Sequence, residues 1–405
     1  MSGKIRVAMV GGGGDATFFG PVHRRAIAGL PGHELVAGAL HQDPRIAQEY
    51  GEKWGLKHIF TDYREMMKRG AEDDLFDYVV IVTPNNVHYD PAMVALDAGI
   101  PVFCEKPLAI SVKQGRSLYL TAKYNCVPFG VNYTYNGHWS QKLARAYVRS
   151  GVLGDVRRVN AFYWQDWQQK DLGIQQEHRQ DPKQSGDFNC NGDINTHNHF
   201  AIRNVTGLEV TGVCCVPRIQ VEGRVLDDDV DCVHKLQNGG GGLCSASQIA
   251  CGHENDHRLA VYCANGSVRW VQEESEKLVI VVGNGPDIVI KRNGDPGVSL
   301  LDNDKMRELC GSNNVDQLKV EIADIERFLH LPSGHGEDFF VTVGNNHEEF
   351  GNCVAEWRDS GKNHLPDGHD YPTVLDGLRG MQFLDACKRN MDGSDKFTTV
   401  SLAEG

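Results

Sequence analysis

The strongest constraint on this chain lies in its first forty residues. Lys4-Ile5-Arg6-Val7-Ala8-Met9-Val10 is an apolar strand running into four glycines, Gly11 to Gly14. A helical pattern follows from about Gly20 through Ile27, and Glu34 to Leu40 is a second apolar strand. Strand, glycine turn, helix, strand is the opening of a dinucleotide-binding unit, in which the turn lets backbone N–H groups at a helix N-terminus meet a pyrophosphate. The glycine spacing is irregular: Gly11-x-Gly13 is followed by Gly20 rather than by a glycine three residues on. A plain βα turn is the competing reading of this stretch alone.

The alternation continues with a helix over 62–69, a doubly buried strand over 76–82, a helix over 88–98 and a strand over 101–104. A helix over 111–124 and a strand over 127–131 complete a parallel, doubly wound pattern. Ligands of such sheets sit beyond the carboxyl ends of the strands. Thr83-Pro84-Asn85, Glu105-Lys106-Pro107 and Asn132-Tyr133 all fall at those ends.

Past Tyr133 the character changes. A helix over about 138–150 leads to a strand over 156–164, then to a polar segment, 165–191, whose length suits a lid better than a passive connection. Strand-like runs follow near 209–216, 229–237, 242–250, 258–264, 266–273, 277–283 and 287–292. Short Asn-Gly turns (Asn238-Gly239, Asn265-Gly266, Asn284-Gly285) between them indicate an antiparallel sheet. Helices near 315–330, 338–360 and 373–390 close the chain. The fold class is therefore α/β: a Rossmann-type parallel sheet over 1–133 and an α+β domain with a large, open, mostly antiparallel sheet over 134–405.

The 405 residues carry a formal net charge of -13, which argues against a nucleic-acid partner. The sequence contains no apolar run of the roughly 18 residues needed to span a bilayer, and its N-terminus shows no signal pattern. The expected location is the cytoplasm. Twelve cysteines are scattered without a Cys-x-x-Cys pair, so they read as reduced core thiols, and no metal site is expected.

One short stretch stands out, Gly192-Asp193-Ile194-Asn195-Thr196-His197. A helix starting near Asp193 would put Asp193 and His197 on one face, a turn apart. Asp193 is also a good N-cap, and a lone histidine in a first turn is commonly a surface residue. With Lys106 arriving from the parallel sheet, the three become a plausible proton-handling set for alcohol and ketone chemistry.

The combination resembles the Gfo/Idh/MocA family, the glucose-fructose oxidoreductase and inositol dehydrogenase relatives. The residues that carry it are Val10-Gly11-Gly12-Gly13, Gly20-Pro21-Val22-His23, Thr83-Pro84-Asn85-x-x-His88, Glu105-Lys106-Pro107 and Asp193-x-x-x-His197, with Pro372-Thr373-Val374-x-Asp376-Gly377 near the end. Leu226-Asp227-Asp228-Asp229, Ser247-Gln248-Ile249-Ala250, Pro332-x-Gly334-His335, Trp167 and Arg179 look like the branch that includes levoglucosan dehydrogenase and enzymes acting at the C3 hydroxyl of glucosides. Asn195 stands where that branch usually has glycine, which is expected to alter the sugar-facing wall.

The resemblance implies a nicotinamide dinucleotide held by Gly11, Gly13, Gly14, Phe18, Phe19, Asp43, Thr83, Pro84, Asn85, His88, Glu105, Lys106, Asn132, Trp167 and Arg179. His41-Gln42-Asp43 at the end of the second strand, with no Arg-Ser pocket for a phosphate, tilts the choice to NAD over NADP. It implies Lys106, His197 and Asp193 as catalytic residues and Tyr133, Thr196 and His335 as further sugar contacts. His197 is the natural base, with Lys106 stabilising the developing alkoxide, although the opposite division stays open. The expected activity is oxidation of a sugar or glycoside hydroxyl, at C3 of a glucoside. The alternatives are a redox-neutral enzyme with retained NAD that acts through a transient 3-keto intermediate, and a sugar- or NAD-binding regulator without catalysis. The resemblance also implies a homo-oligomer, a dimer or a tetramer.

Overall fold

The computed structural model describes residues 3–402 apart from 16, 170–176, 302–303, 338 and 394–395. Six strands, β1 (Ile5–Gly11), β2 (His33–Ala39), β3 (His58–Ile59), β4 (Tyr78–Val82), β5 (Val102–Glu105) and β6 (Phe129–Asn132), form a parallel sheet in the order β3-β2-β1-β4-β5-β6. Val79, Val80, Ile81, Val102 and Phe103 have no exposed surface, as strands covered on both faces by helices require. The helix Phe19–Gly29 follows β1, and the order reverses between β1 and β4, so the crevice over their carboxyl ends is the switch point where a dinucleotide would lie.

The second sheet has nine strands: β7 (Val156–Trp164), β8 (Val210–Arg218), β9 (Asp229–Leu236), β10 (Gly241–Ser247), β11 (Asp256–Cys263), β12 (Gly266–Val271), β13 (Lys277–Val282), β14 (Ile288–Lys291) and β15 (Thr398–Thr399). Their order is β14-β13-β12-β11-β7-β10-β9-β8-β15. The three expected Asn-Gly turns lie at hairpins joining β9 to β10, β11 to β12 and β13 to β14. One pairing departs from the antiparallel rule: β7 sits in the centre, parallel to β10. Nothing local in the sequence encodes that insertion, because it is decided by which long connection returns to the middle of the sheet. The inner face packs on the helices Trp139–Arg149, Thr196–Thr206 and Val374–Asp392.

The chain then returns to the first sheet. The helix Phe339–Asp359 lays Phe350 against Phe103 and Tyr78, with ring centroids 5.3 and 5.1 Å apart. It also brings His347 into a buried relay: His347 Nε2 is 2.8 Å from His23 Nδ1, His23 Nε2 is 2.8 Å from Glu105 Oε1, and the Tyr78 hydroxyl is 2.9 Å from His347 Nδ1. No helix among the described residues is long and apolar enough to cross a membrane.

Candidate active site

The glycine turn is built around a contact that spacing did not suggest. Gly11, Gly12 and Gly14 have φ of 76°, 79° and 105°, where a side chain is strained. A Cβ on Gly20 would lie 1.9 Å from the Gly12 carbonyl oxygen, so Gly12 and Gly20 are what allow the first helix to approach the turn. Gly13 donates its N–H to the Leu40 carbonyl at 2.9 Å, tying the turn to the end of β2. The Thr17 hydroxyl lies 2.9 Å from the Gly12 carbonyl and 3.0 Å from that of Gly14.

A cleft opens over this turn. It is lined by Thr17, Phe18, Phe19, Gly20, Thr83, Pro84, Asn85, His88, Glu105, Lys106, Arg179 and Asp193, with Gln184 and Ser185 at its rim. Buried, unpartnered polar atoms lie beside it, the Thr83 hydroxyl and the Asn86 amide oxygen. Glycines that admit backbone contact, a helix N-terminus and spare polar atoms at the switch point fit a dinucleotide. Asp43 is engaged locally instead. Its carboxylate caps the helix Pro44–Trp54, accepting from Arg45 N at 2.9 Å, and pairs with the Arg45 guanidinium at 3.1 Å.

Glu105 is buried and accepts hydrogen bonds from the Asn132 amide at 2.7 Å and from His23. Burial alone would raise its pKa; the hydrogen bond and charge of His23, then Lys106 and Asn132, bring it below the ordinary value. Glu105 and Asn132 thus stiffen the ends of β5 and β6 beneath Lys106. His88 places Nδ1 2.8 Å from the Pro107 carbonyl and Nε2 2.9 Å from that of Thr83, so its ring fixes the Lys106-Pro107 turn against the end of β4.

Lys106 leaves this edge and donates to Asp193 Oδ1 at 2.7 Å and to the Asp193 carbonyl at 2.9 Å. Arg179 Nη1 lies 2.5 Å from the same Oδ1, and the Gln248 amide donates to Oδ2 at 2.7 Å. Arg179 in turn rests over the Trp167 ring, 5.6 Å from its centroid. Burial opposes the Asp193 charge, but Arg179 and Lys106 outweigh it and hold the carboxyl far below its usual range.

Asp193 is not the helix N-cap that its position after a glycine suggested. Residues Asn191–Asn195 form a π-turn that runs into the helix Thr196–Thr206, and the carboxylate points at Lys106, Arg179 and Gln248 instead of at backbone N–H groups. Such wide turns recur at functional sites. This one is braced from below by Asp227, whose carboxylate accepts from Asn189 N at 2.7 Å and Asn191 N at 2.6 Å. Burial pushes the Asp227 carboxyl up to about 7.

His197 lies one turn on, ringed by Tyr133, Tyr135 and Tyr163 at 5.8, 5.2 and 5.8 Å between centroids. Burial and nearby charges, with no hydrogen bond to its ring, set the state of this imidazole among the described residues. Burial first, then the nearby charges of Lys106 and His257, hold its pKa well below 6.5, so the imidazole is neutral.

Other expected contacts are engaged elsewhere. Tyr133 is a core residue, stacked on Phe200 at 4.4 Å, with its hydroxyl over Gly380. The Thr196 hydroxyl bonds back to the Gly192 carbonyl at 3.0 Å. His335 is exposed, its ring 3.3 Å from the Pro332 carbonyl, on a loop clasped by Arg292. Asn195 turns inward, donating to Asn191 Oδ1 at 2.8 Å. Of the segment 165–191 read as a lid, residues 170–176 lie outside the described residues.

The spacing rules passed over Gly12, Thr17 and the His23–His347 relay. Gln248 and Asp227 fall within motifs of the resemblance, but those motifs gave them no role. The relay, Gln248 and Asp227 act through partners distant in sequence, and Gly12 and Thr17 through the shape of the turn itself.

A cleft at the switch point of a Rossmann sheet, lined by a lysine and a carboxylate, defines a dinucleotide-dependent oxidoreductase. The chain belongs to the Gfo/Idh/MocA family: the model for the oxidoreductase family's NAD-binding Rossmann fold matches residues 5–133, and that for the family's C-terminal domain matches residues 142–269. It is an NAD-binding oxidoreductase. Levoglucosan dehydrogenase of Pseudarthrobacter phenanthrenivorans is 25% identical over 308 residues, covering 68% of this chain and 76% of that protein. D-glucoside 3-dehydrogenase of Escherichia coli is 31% identical over 157 residues, covering 38% of this chain and 42% of that one. The crystal structure of an inositol dehydrogenase homolog from Azotobacter vinelandii complexed with NAD+ has a TM-score of 0.84 and 27% identity, covering 98% of each chain.

Proposed function

We propose that this protein oxidises a secondary hydroxyl of a sugar or glycoside, at C3 of a glucoside, to the ketone. The observation that carries the reading is the pairing of Lys106 with Asp193 next to a buried, neutral His197. The kinship with levoglucosan dehydrogenase and D-glucoside 3-dehydrogenase supports the substrate class.

When bound, the nicotinamide supplies the hydride acceptor. The glycine turn and the cleft residues Phe18, Phe19, Thr83, Pro84 and Asn85 would hold the cofactor. Loss of hydride from the carbinol carbon leaves a hydroxyl proton that must go to a base as the C=O bond forms. His197 takes it at a ring nitrogen, because burial and the Lys106 charge keep the ring uncharged. Lys106 donates a hydrogen bond to the reacting oxygen and disfavours water as its partner. Asp193 holds Lys106 in place, and its second oxygen, steadied by the Gln248 amide that donates to it, presents an acceptor to a neighbouring hydroxyl.

The open face of the nine-stranded sheet carries Val216, Val233, Leu243, Tyr262 and Val289, each at least 36% exposed, which suits self-association into a dimer or tetramer. The activity test is a panel of free sugars and glucosides with NAD, read by NADH absorbance and by product analysis. Reduction of NAD with a 3-keto product supports the proposal. A 3-keto or cleaved product without net NADH transfers support to the redox-neutral alternative. No oxidation of any sugar by either readout removes both.

A further inference from the structure

Below the π-turn, three neighbouring strands align their cysteines. Cys215 on β8 stands directly opposite Cys232 on β9, and Cys232 directly opposite Cys244 on β10. All three face the covered side of the sheet, and Cys387 of the helix Val374–Asp392 descends onto them, also buried. The sulfurs of Cys215, Cys232 and Cys387 lie within 4.8 Å of one another.

The surroundings are not those of apolar core thiols. The Asn191 amide points at Cys215 Sγ at 4.0 Å and the Asn195 amide at Cys232 Sγ at 3.7 Å. His234, two residues along β9 from Cys232 and 1% exposed, turns its imidazole toward the Cys244 thiol, the geometry falling short of a full hydrogen bond. Burying an imidazole with so weak a partner is costly, and apolar packing gives no return for it. N–H donors aimed at sulfur are the usual outer shell of metal-bound thiolates.

We propose that Cys215, Cys232 and Cys387 form the core of a structural site for a thiophilic cation, zinc(II), and that Cys244, which faces Cys232 but lies outside that 4.8 Å group, completes it by turning toward the ion. A Zn–S bond of about 2.3 Å in tetrahedral geometry sets the sulfurs roughly 3.8 Å apart, within about 1 Å of where the fold already holds three of them. Each ligating thiol gives up its proton to solvent on binding, and the two asparagine amides and the His234 N–H offset the resulting negative charge. The ion would clasp β8, β9 and β10 to the C-terminal helix. Through Asn191 and Asn195 it would also brace the turn that carries Asp193. Zinc-ligand spacing is absent from the sequence because the ligands come from three strands and a distant helix.

The test uses the full chain, stripped of metal by a chelator under reducing conditions and titrated with Co2+ alone. The expected result is one tight equivalent with sulfur-to-cobalt charge transfer in the near ultraviolet and intense visible bands of tetrahedral cobalt, all bleached by Zn2+. Cys387→Ser should lose these bands, while Cys263→Ser, outside the cluster, should keep them. Zn2+ should raise the melting temperature of the wild-type chain but not of Cys387→Ser. Absence of a sulfur band in the wild-type chain, or its retention in Cys387→Ser, overturns the proposal. If Cys387→Ser does not fold, the wild-type spectrum decides by itself.

Discussion

Lys106 Nζ lies 2.7 Å from Asp193 Oδ1, an ion pair that joins the end of a strand in the parallel sheet to a π-turn in front of the antiparallel one. Lys106 has 5% of its side chain exposed and Asp193 11%, so neither charge is comfortable alone. Asp193→Asn keeps the shape but leaves the Lys106 and Arg179 cations facing each other. Its expected effect is a loss of about 10²–10³ in kcat, with the Kd for NADH changed by less than about threefold, read by steady-state kinetics and cofactor fluorescence. The small Kd effect follows because the glycine turn and the strand ends β4 and β5 are untouched.

The glycine contact predicts an opposite split. In Gly20→Ala the new methyl would meet the Gly12 carbonyl at 1.9 Å, and the turn must shift. Overpacking of this kind costs about 1–3 kcal/mol. The Kd for NADH should rise at least about tenfold, measured by fluorescence titration, while the Lys106–Asp193 pair stays intact.

Stability should fall in mild acid. His257, held at about 3, and His33 and His138, held at about 4, are lowered mainly by burial and are neutral in the folded chain. The unfolded chain protonates them near ~6.5, so it binds more protons between there and about 4. Their stabilising contribution is complete above ~6.5 and is lost as pH falls, amounting at pH ~5 to about 2 kcal/mol for each. Asp227, raised to about 7, works the other way, but it is one group against three. Melting temperatures recorded from pH ~7 to ~5 should therefore decline. The same sign applies to activity: with His197 held well below 6.5, the acid limb of kcat/KM should lie below the ordinary imidazole range.

Tyr133→Phe separates packing from substrate contact. The ring stacks on Phe200 with an interplanar angle of 3°, and the hydroxyl lies over Gly380. Removing that hydroxyl should change kcat/KM by less than about threefold, whereas Tyr133→Ala should destabilise by about 3–5 kcal/mol, as for a buried aromatic. Calorimetry and kinetics on the two variants check this.

Much of the fold is legible from local pattern. The period-two strands, the Asn-Gly turns and the βα alternation each predict an element that forms, because each is decided within a few residues. The position of β7 between β10 and β11 is not local, and neither is the return of Phe350 to Phe103. At the site, Lys106, Asp193 and His197 stood out because their residue types are chemically loud. Gln248 and Asp227 are quiet, and their work, holding the Asp193 carboxylate and its backbone, exists only once the chain has folded. Asp43, Thr196 and His335 show the converse. Each has a suggestive side chain, and each is engaged by its own neighbours: Arg45, the Gly192 carbonyl and the Pro332 carbonyl.

The most direct test of the central claim follows the hydride itself. Methyl glucoside carrying deuterium at C3 would be incubated with NAD and the protein, and both products examined by mass spectrometry and NMR. The account predicts one deuterium on the reduced nicotinamide, a carbonyl at C3 of the sugar, and loss of both in His197→Ala and Lys106→Ala chains that still bind NADH. Reduced nicotinamide without deuterium, or full transfer by those two variants, would contradict it.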